Sequence, residues 1–184
     1  MRKMYLSAPL PFVGQKRMFA KEFMKVLEQY PDGTLFVDLF GGSGLLSHIA
    51  KSLKPHSTVI YNDFDNYRFR MKHIPQTNQL LADIREMVGN SVPRHKIIKG
   101  ELRERILSRI EQEENTTGYV DFITLSSSIL FSMKYKLSVQ DMRKEALYNN
   151  IRKTGYPECA DYLEGLEIVS CDYKEVFNRY KDIP

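Results

Sequence analysis

The stretch Leu35-Phe36-Val37-Asp38-Leu39-Phe40-Gly41-Gly42-Ser43-Gly44 decides the fold. Apolar residues broken by a single aspartate predict a buried strand over 34–40. The glycines then turn the backbone. Leu45, Leu46, Ile49, Ala50 and Leu53 recur at helical spacing, predicting a helix over 43–53 with Ser43 as its N-cap. Strand, glycine-rich turn and helix N-terminus together make a ligand cradle. Glycine lets a ligand approach the backbone without a Cβ in the way. The helix start offers unpaired N–H donors and partial positive charge.

Outward from this unit, Thr58-Val59-Ile60-Tyr61-Asn62 predicts a second strand and residues 166–170 a third, followed by a helix over 173–180. Residues 15–30 predict an earlier helix, with Phe19, Phe23, Val26, Leu27 and Tyr30 on one face. The strand–helix–strand order at 34–64 is a βαβ unit. Between the second and third strands the pattern turns helical. Leu80, Leu81, Ile84, Met87 and Val88 form one stripe, and Leu102, Ile106, Leu107 and Ile110 another. Residues 119–131 read as an apolar helix. Ser138 and Asp141 resemble a capping box opening a helix through Ile151. The expected organisation is therefore a ligand-binding half, residues 1–65 and 166–184, with a helical insert at 66–165. In that insert Lys and Arg outnumber Asp and Glu.

Composition bounds the function. A chain of 184 residues with a 42% hydrophobic fraction suits one packed domain, so a disordered chain is excluded. A net charge of +4 leans toward an anionic partner. Cys159 and Cys171 have no metal-type spacing and read as reduced thiols of a cytoplasmic protein. His48, His56, His73 and His95 are scattered, so no metal site is expected. No apolar run is long enough for a membrane span.

Three pieces carry candidate chemistry: Pro11-Phe12-Val13-Gly14-Gln15-Lys16-Arg17, the glycine turn with Asp38, and Tyr61-Asn62-Asp63-Phe64-Asp65. The last two lie at carboxyl ends of predicted strands, where open α/β sheets bind ligands. Asp63 falls about 20 residues past the glycines, the spacing of an acid that accepts ribose hydroxyls. A dinucleotide competes here, but Gly42-Ser43-Gly44-Leu45-Leu46-Ser47 places serine where that fingerprint wants a third small residue. Asp38 suits a cationic ligand better. S-adenosylmethionine, with its ammonium and sulfonium, fits that requirement.

Together these pieces resemble the Dam-like class of adenine-specific DNA methyltransferases. Phe12 and Lys16 match the aromatic and lysine of that class's opening motif. Phe36-Val37-Asp38-Leu39-Phe40-Gly41-Gly42-Ser43-Gly44 is similar to its glycine motif, and Asn62-Asp63-Phe64-Asp65 to its Asn-Asp-x-Asn motif. Cys171-Asp172-Tyr173 is similar to the next motif, whose acid approaches the cofactor adenine. The resemblance implies an α/β fold: a partial Rossmann-like methyltransferase sheet with an inserted helical subdomain that recognises duplex DNA. It implies S-adenosyl-L-methionine as cofactor, held by Phe12, Lys16, Asp38, Phe40, Gly41, Gly42, Gly44, Asp63 and Asp172.

One departure stands out. The class's catalytic Asp-Pro-Pro-Tyr sequence does not occur in these 184 residues. The expectation is an N-terminal portion of a methyltransferase, inactive alone, arising by truncation, proteolysis or a split reading frame. No catalytic residue is assigned. A non-catalytic cofactor- or DNA-binding module, and a methyltransferase of RNA or a small molecule, stay open as alternatives. The strand at 34–40 would then lie at a sheet edge. That edge would be open to self-association, to a complementing C-terminal segment, or to cover by residues 181–184.

Overall fold

The structure is a computed structural model that describes residues 3–14, 16–132 and 134–183. Gln15 of the opening motif, also the expected start of the first helix, lies outside the described residues, as does Pro184 of the 181–184 segment. In chain order, a 3-10 turn at Lys16–Phe19 leads into α1 (Ala20–Glu28), β1 (Phe36–Asp38), α2 (Leu45–Leu53), β2 (Val59–Asn62) and α3 (Tyr67–Lys72). Then come α4 (Ile74–Val88), β3 (Ile97–Ile98), α5 (Gly100–Thr117), α6 (Phe122–Ile129), α7 (Val139–Met142) and β4 (Leu147–Tyr148). β5 (Glu167–Val169) and α8 (Tyr173–Tyr180) follow. These elements divide into two compact units, residues 1–71 with 158–184, and residues 72–157.

The first unit is built on a three-stranded parallel sheet in the order β1-β2-β5. Phe36 pairs with Val59 and Asp38 with Tyr61; on the other side Asn62 pairs with Val169. The fold is mixed α/β, a small parallel sheet with helices, consistent with a methyltransferase-like fold. β2 is buried along its whole length, as its apolar run requires. β1 is shorter than the expected 34–40, and its three residues are half-buried because it forms an edge of this sheet. Phe36 N–H donates to the Thr58 carbonyl at 2.9 Å, so Val37 turns its own N–H and C=O to the open side.

The core packs α1 and α2 over β2 through Ala20, Leu27, Leu45, Ile49, Ala50 and Val59, with Phe23, Met24 and Phe36 against them. This corrects the expected face of the first helix: Phe19, Val26 and Tyr30 are exposed. For Phe19 the reason is local. Lys16–Phe19 winds as a tighter 3-10 turn. Its three residues per turn shift the helical phase, so Phe19 falls off the apolar stripe.

The second unit pairs α4 and α5 through Leu80, Leu81 and Ile84 on one side and Ile106, Leu107 and Ile110 on the other, all buried. Arg109 of α5 reaches Asp83 of α4 at 2.8 Å and Glu113 at 2.9 Å. The helix expected through Ile151 does not form. Ser138 does cap, accepting from Asp141 N–H at 3.1 Å. The helix nevertheless ends at Met142, where tight turns take over (Lys144 N–H to Asp141 O, Glu145 N–H to Met142 O). Leu147 and Tyr148 then pair antiparallel with Ile98 and Ile97.

Candidate functional site

The carboxyl ends of all three parallel strands open onto one cavity of about 380 Å³, within the range of small-molecule sites. Leu39, Phe40, Gly41 and Gly42 follow β1; Asn62 ends β2, and Phe64 and Asp65 follow it; Asp172 and Tyr173 follow β5. Phe12 and Lys16 close it from the N-terminal segment.

Asn62 holds this floor together. Its side-chain amide donates to the carbonyls of Leu39 and Cys171, each at 3.0 Å, and its oxygen accepts from Cys171 N–H at 3.2 Å. One buried side chain thereby fastens the ends of β1 and β5 to β2.

The glycine turn is shaped by crowding. A Cβ on Gly41 would lie 2.8 Å from the Asn62 carbonyl oxygen and closer still to the Tyr61 ring. Tyr61 cannot yield easily. It is fully buried, and its hydroxyl sits 2.7 Å from the Gly42 carbonyl and 3.0 Å from the Asp63 carboxylate. Burial, and next the Asp63 charge, push its phenol far above the usual range. Gly44, rather than the expected Ser43, takes the N-cap position of α2, and its φ of 70° is the left-handed conformation that favours glycine. No side chain caps this helix, and Ser43 and Leu45 at its start line the cavity.

Of the nine residues singled out by sequence, six line the cavity: Phe12, Lys16, Phe40, Gly41, Gly42 and Asp172. Three do not. Gly44 sits behind the turn. Asp38 accepts from the Ser47 hydroxyl at 2.7 Å and faces Lys16 Nζ at 3.7 Å. It lines a smaller space of about 150 Å³ with Phe23 and Leu46. Lys16 also donates to the Phe40 carbonyl, so one ammonium bridges the end of β1 and the residue that enters the glycine turn.

Asp63 turns inward and is buried. Its carboxylate accepts from Tyr67 N–H at 2.6 Å and Arg68 N–H at 3.0 Å, fixing the start of α3. Burial raises its carboxyl above the ordinary 3.8 in spite of those bonds. The acid that reaches the cavity after β2 is Asp65, exposed and two residues on.

Asp172 both lines the cavity and caps α8, accepting from Lys174 N–H at 2.8 Å. Tyr173 and Phe40 meet at the rim with ring centroids 5.0 Å apart, and Phe64 is 65% exposed there. The sequence reading quoted Asn62, Phe64, Asp65 and Tyr173 within its motifs but singled out only Asp63 and Asp172 there as cofactor-binding residues. The signal for the others was membership of those motifs, at and just beyond the ends of parallel strands.

The arrangement suits a ligand with a flat apolar part and polar ends. Aromatic faces take the first; Asp65, Asp172, Lys16 and the α2 N-terminus take the others. Among the described residues no three His, Cys, Asp or Glu side chains group to hold a metal ion, and no helix is long and apolar enough to cross a membrane.

No protein-family model matches the chain. The chain is similar to a protein of Haemophilus influenzae (strain ATCC 51907 / DSM 11121 / KW20 / Rd) named "Putative methyltransferase", with 40% identity over 185 residues. That match covers 98% of this chain but spans only 62% of the relative's length.

Proposed function

We propose that this chain is the cofactor-binding part of a methyltransferase, that its cofactor is S-adenosylmethionine, and that the methyl acceptor is an adenine amino group in DNA. The observation that carries the reading is the cavity formed jointly by three strand ends and the α2 N-terminus, with aromatic walls and an acid beyond β2. The relative's name supports methyl transfer. The Dam-like motif order supports the adenine acceptor.

The residues present fit the cofactor. Phe12, Phe64 and Tyr173 supply flat apolar faces for the adenine. Asp65, exposed at the end of the second strand, takes the ribose role that the sequence suggested for Asp63. Lys16 and the start of α2 favour the carboxylate end. Asp38 acts at one remove, holding Lys16 and Ser47 beside the turn. Bound there, the cofactor supplies an electrophilic methyl group on its sulfonium. What this chain contributes is binding and orientation. The sequence Asp-Pro-Pro-Tyr, which in the resembled class receives the target amino group, is absent from the 184 residues.

Calorimetric titration with S-adenosylhomocysteine tests the proposal. Saturable 1:1 binding is expected, weakened at least about tenfold, or about 1.4 kcal/mol, by Asp65→Ala and by Phe12→Ala. Absence of binding, or tighter binding of NAD than of S-adenosylhomocysteine, contradicts it.

A further inference from the structure

The imidazole of His48, on α2, is fully buried and does not line the cofactor cavity, yet both of its nitrogens are engaged. Nδ1 lies 2.7 Å from the Tyr162 carbonyl, which can only accept, so Nδ1 carries a proton. Nε2 accepts from the Tyr5 backbone N–H at 2.9 Å, so Nε2 is bare. The Ser52 hydroxyl, 3.3 Å from Nε2, directs its own proton to the His48 carbonyl at 2.8 Å. The ring is therefore neutral and fixed in one tautomer. A second proton, on Nε2, would face the Tyr5 N–H donor to donor.

Two parts of the first unit meet at this ring. One is a strap, residues 3–12. Near its start Tyr5 is held by His48 and by Asp161, to which the Tyr5 hydroxyl donates at 2.8 Å. Its far end is pinned to α3. Leu10 N–H lies 2.9 Å from the Tyr67 hydroxyl, and Arg70 donates to the Pro11 carbonyl at 2.8 Å. Phe12 then packs edge-on against Tyr67, with ring centroids 5.8 Å apart, and over the glycine turn, 3.0 Å from where a Cβ on Gly42 would stand. The other part is Tyr162. It stacks on His48 with centroids 4.8 Å apart and donates its hydroxyl to the Ser43 carbonyl at 3.1 Å. Phe12 and Ser43 both line the cofactor cavity.

The titratable and charged groups around His48 among the described residues are Lys3 and Tyr5 on the strap, Tyr67 on α3, and Cys159, Asp161 and Tyr162 before β5. The Asp161 hydrogen bond, and next burial, hold the Tyr5 phenol far above its usual range, and burial does the same for Tyr162. Both stay neutral. Histidine is the side chain of this set whose charge in water changes between pH 5 and 8.

We propose that His48 is a pH-sensitive latch: neutral, it holds the strap down and Phe12 in the cavity wall; protonated, it releases Tyr5 and loosens the cofactor site. The closed strap accepts only the neutral ring. The opened strap gives the ring to water, where a histidine takes its second proton near pH 6.5. Opening is therefore constant well above that pH and grows as pH falls through it, about thirtyfold from pH 7.5 to pH 5. The effect on the cofactor rests on the cavity assignment above; the latch itself is read without cofactor.

Amide hydrogen exchange of the full chain, followed by NMR at pH 7.5 and pH 5 and corrected for intrinsic rates, tests this. The Tyr5 amide should open about thirtyfold more at pH 5, while β2 amides keep their protection. Imidazole nitrogen NMR at pH 7.5 should show the His48 proton on Nδ1. His48→Gln, which does not titrate, should open equally at both pH values. Tyr5→Phe, which loses the Asp161 bond and keeps the backbone N–H, should open more at both and keep the thirtyfold ratio. Equal opening of the parent at both pH values, a thirtyfold rise that survives His48→Gln, or a proton on Nε2 overturns the latch. Loss of the ratio in Tyr5→Phe also overturns it, because it makes Asp161 the sensor. The two parent measurements decide the matter if His48→Gln does not fold. S-adenosylhomocysteine at about ten times its Kd should cut strap opening about tenfold. Binding that leaves the opening unchanged overturns the coupling to the cavity. Absence of binding, with the thirtyfold rise intact, contradicts the cofactor reading and leaves the latch standing.

Discussion

Gly41→Ala perturbs the turn where it is most crowded. The added Cβ would lie 2.8 Å from the Asn62 carbonyl oxygen, against an ordinary carbon contact of about 3.5 Å or more. It would lie closer still to the Tyr61 ring. Neither neighbour is a flexible chain end. The first is strand backbone. The second is a fully buried ring whose hydroxyl is held at both Gly42 and Asp63. Relief therefore requires moving β2 or lifting the turn by about an ångström. Overpacking of this kind costs about 1–3 kcal/mol. For a chain of this size that lowers the melting temperature by roughly 2–12 °C. Lifting the turn also displaces the cavity floor, so S-adenosylhomocysteine affinity should fall by more than the stability loss alone implies. Thermal melting monitored by circular dichroism, paired with calorimetric titration, reads both. A Gly41→Ala chain that melts and binds like the parent would refute the close packing of the turn against Tyr61.

Asn62→Ala removes three hydrogen bonds at the strand ends and should cost about 1–3 kcal/mol, measured by denaturant unfolding, with cavity binding lost alongside. Asp63 has a carboxyl raised above 3.8 by burial, so the folded chain holds its proton more tightly than the unfolded chain. Its contribution therefore favours folding as pH falls through its native value toward 3.8 and opposes folding above that window. Melting curves from pH 7 down to below 3.8 should show the parent gaining stability relative to Asp63→Asn on acidification; a constant difference would contradict this. Incubation with unmethylated DNA and methyl-labelled cofactor should give no labelled adenine from this chain alone, since its sequence holds no Asp-Pro-Pro-Tyr.

The sequence revealed the cradle because its logic is local. An apolar run, a glycine cluster and a helical stripe follow one another over 35–53, and burial of β2 and α2 realises them. The choice between Asp63 and Asp65 was not legible. An acid just past a strand serves equally as a helix cap or as a ribose acceptor, and only the path of the chain decides. Here the Asp63 carboxylate meets Tyr67 N–H, and α3 starts there. The β3–β4 pair was hidden for another reason. Two-residue strands about 50 residues apart show no alternation, and their pairing is a non-local event. The surroundings of His48 were invisible too, because they join residue 5 to residues 48 and 162 through backbone groups that no side-chain pattern marks.

The central claim, that S-adenosylmethionine occupies the cavity at the strand ends, is tested most directly by photolabelling. Ultraviolet irradiation of the chain with methyl-labelled S-adenosylmethionine, followed by peptide mapping, reports which residues touch it. The predicted result is saturable label on peptides containing Phe12, Phe64 or Tyr173, abolished by excess S-adenosylhomocysteine. Label confined to residues 72–157, or label that does not saturate, would contradict the assignment.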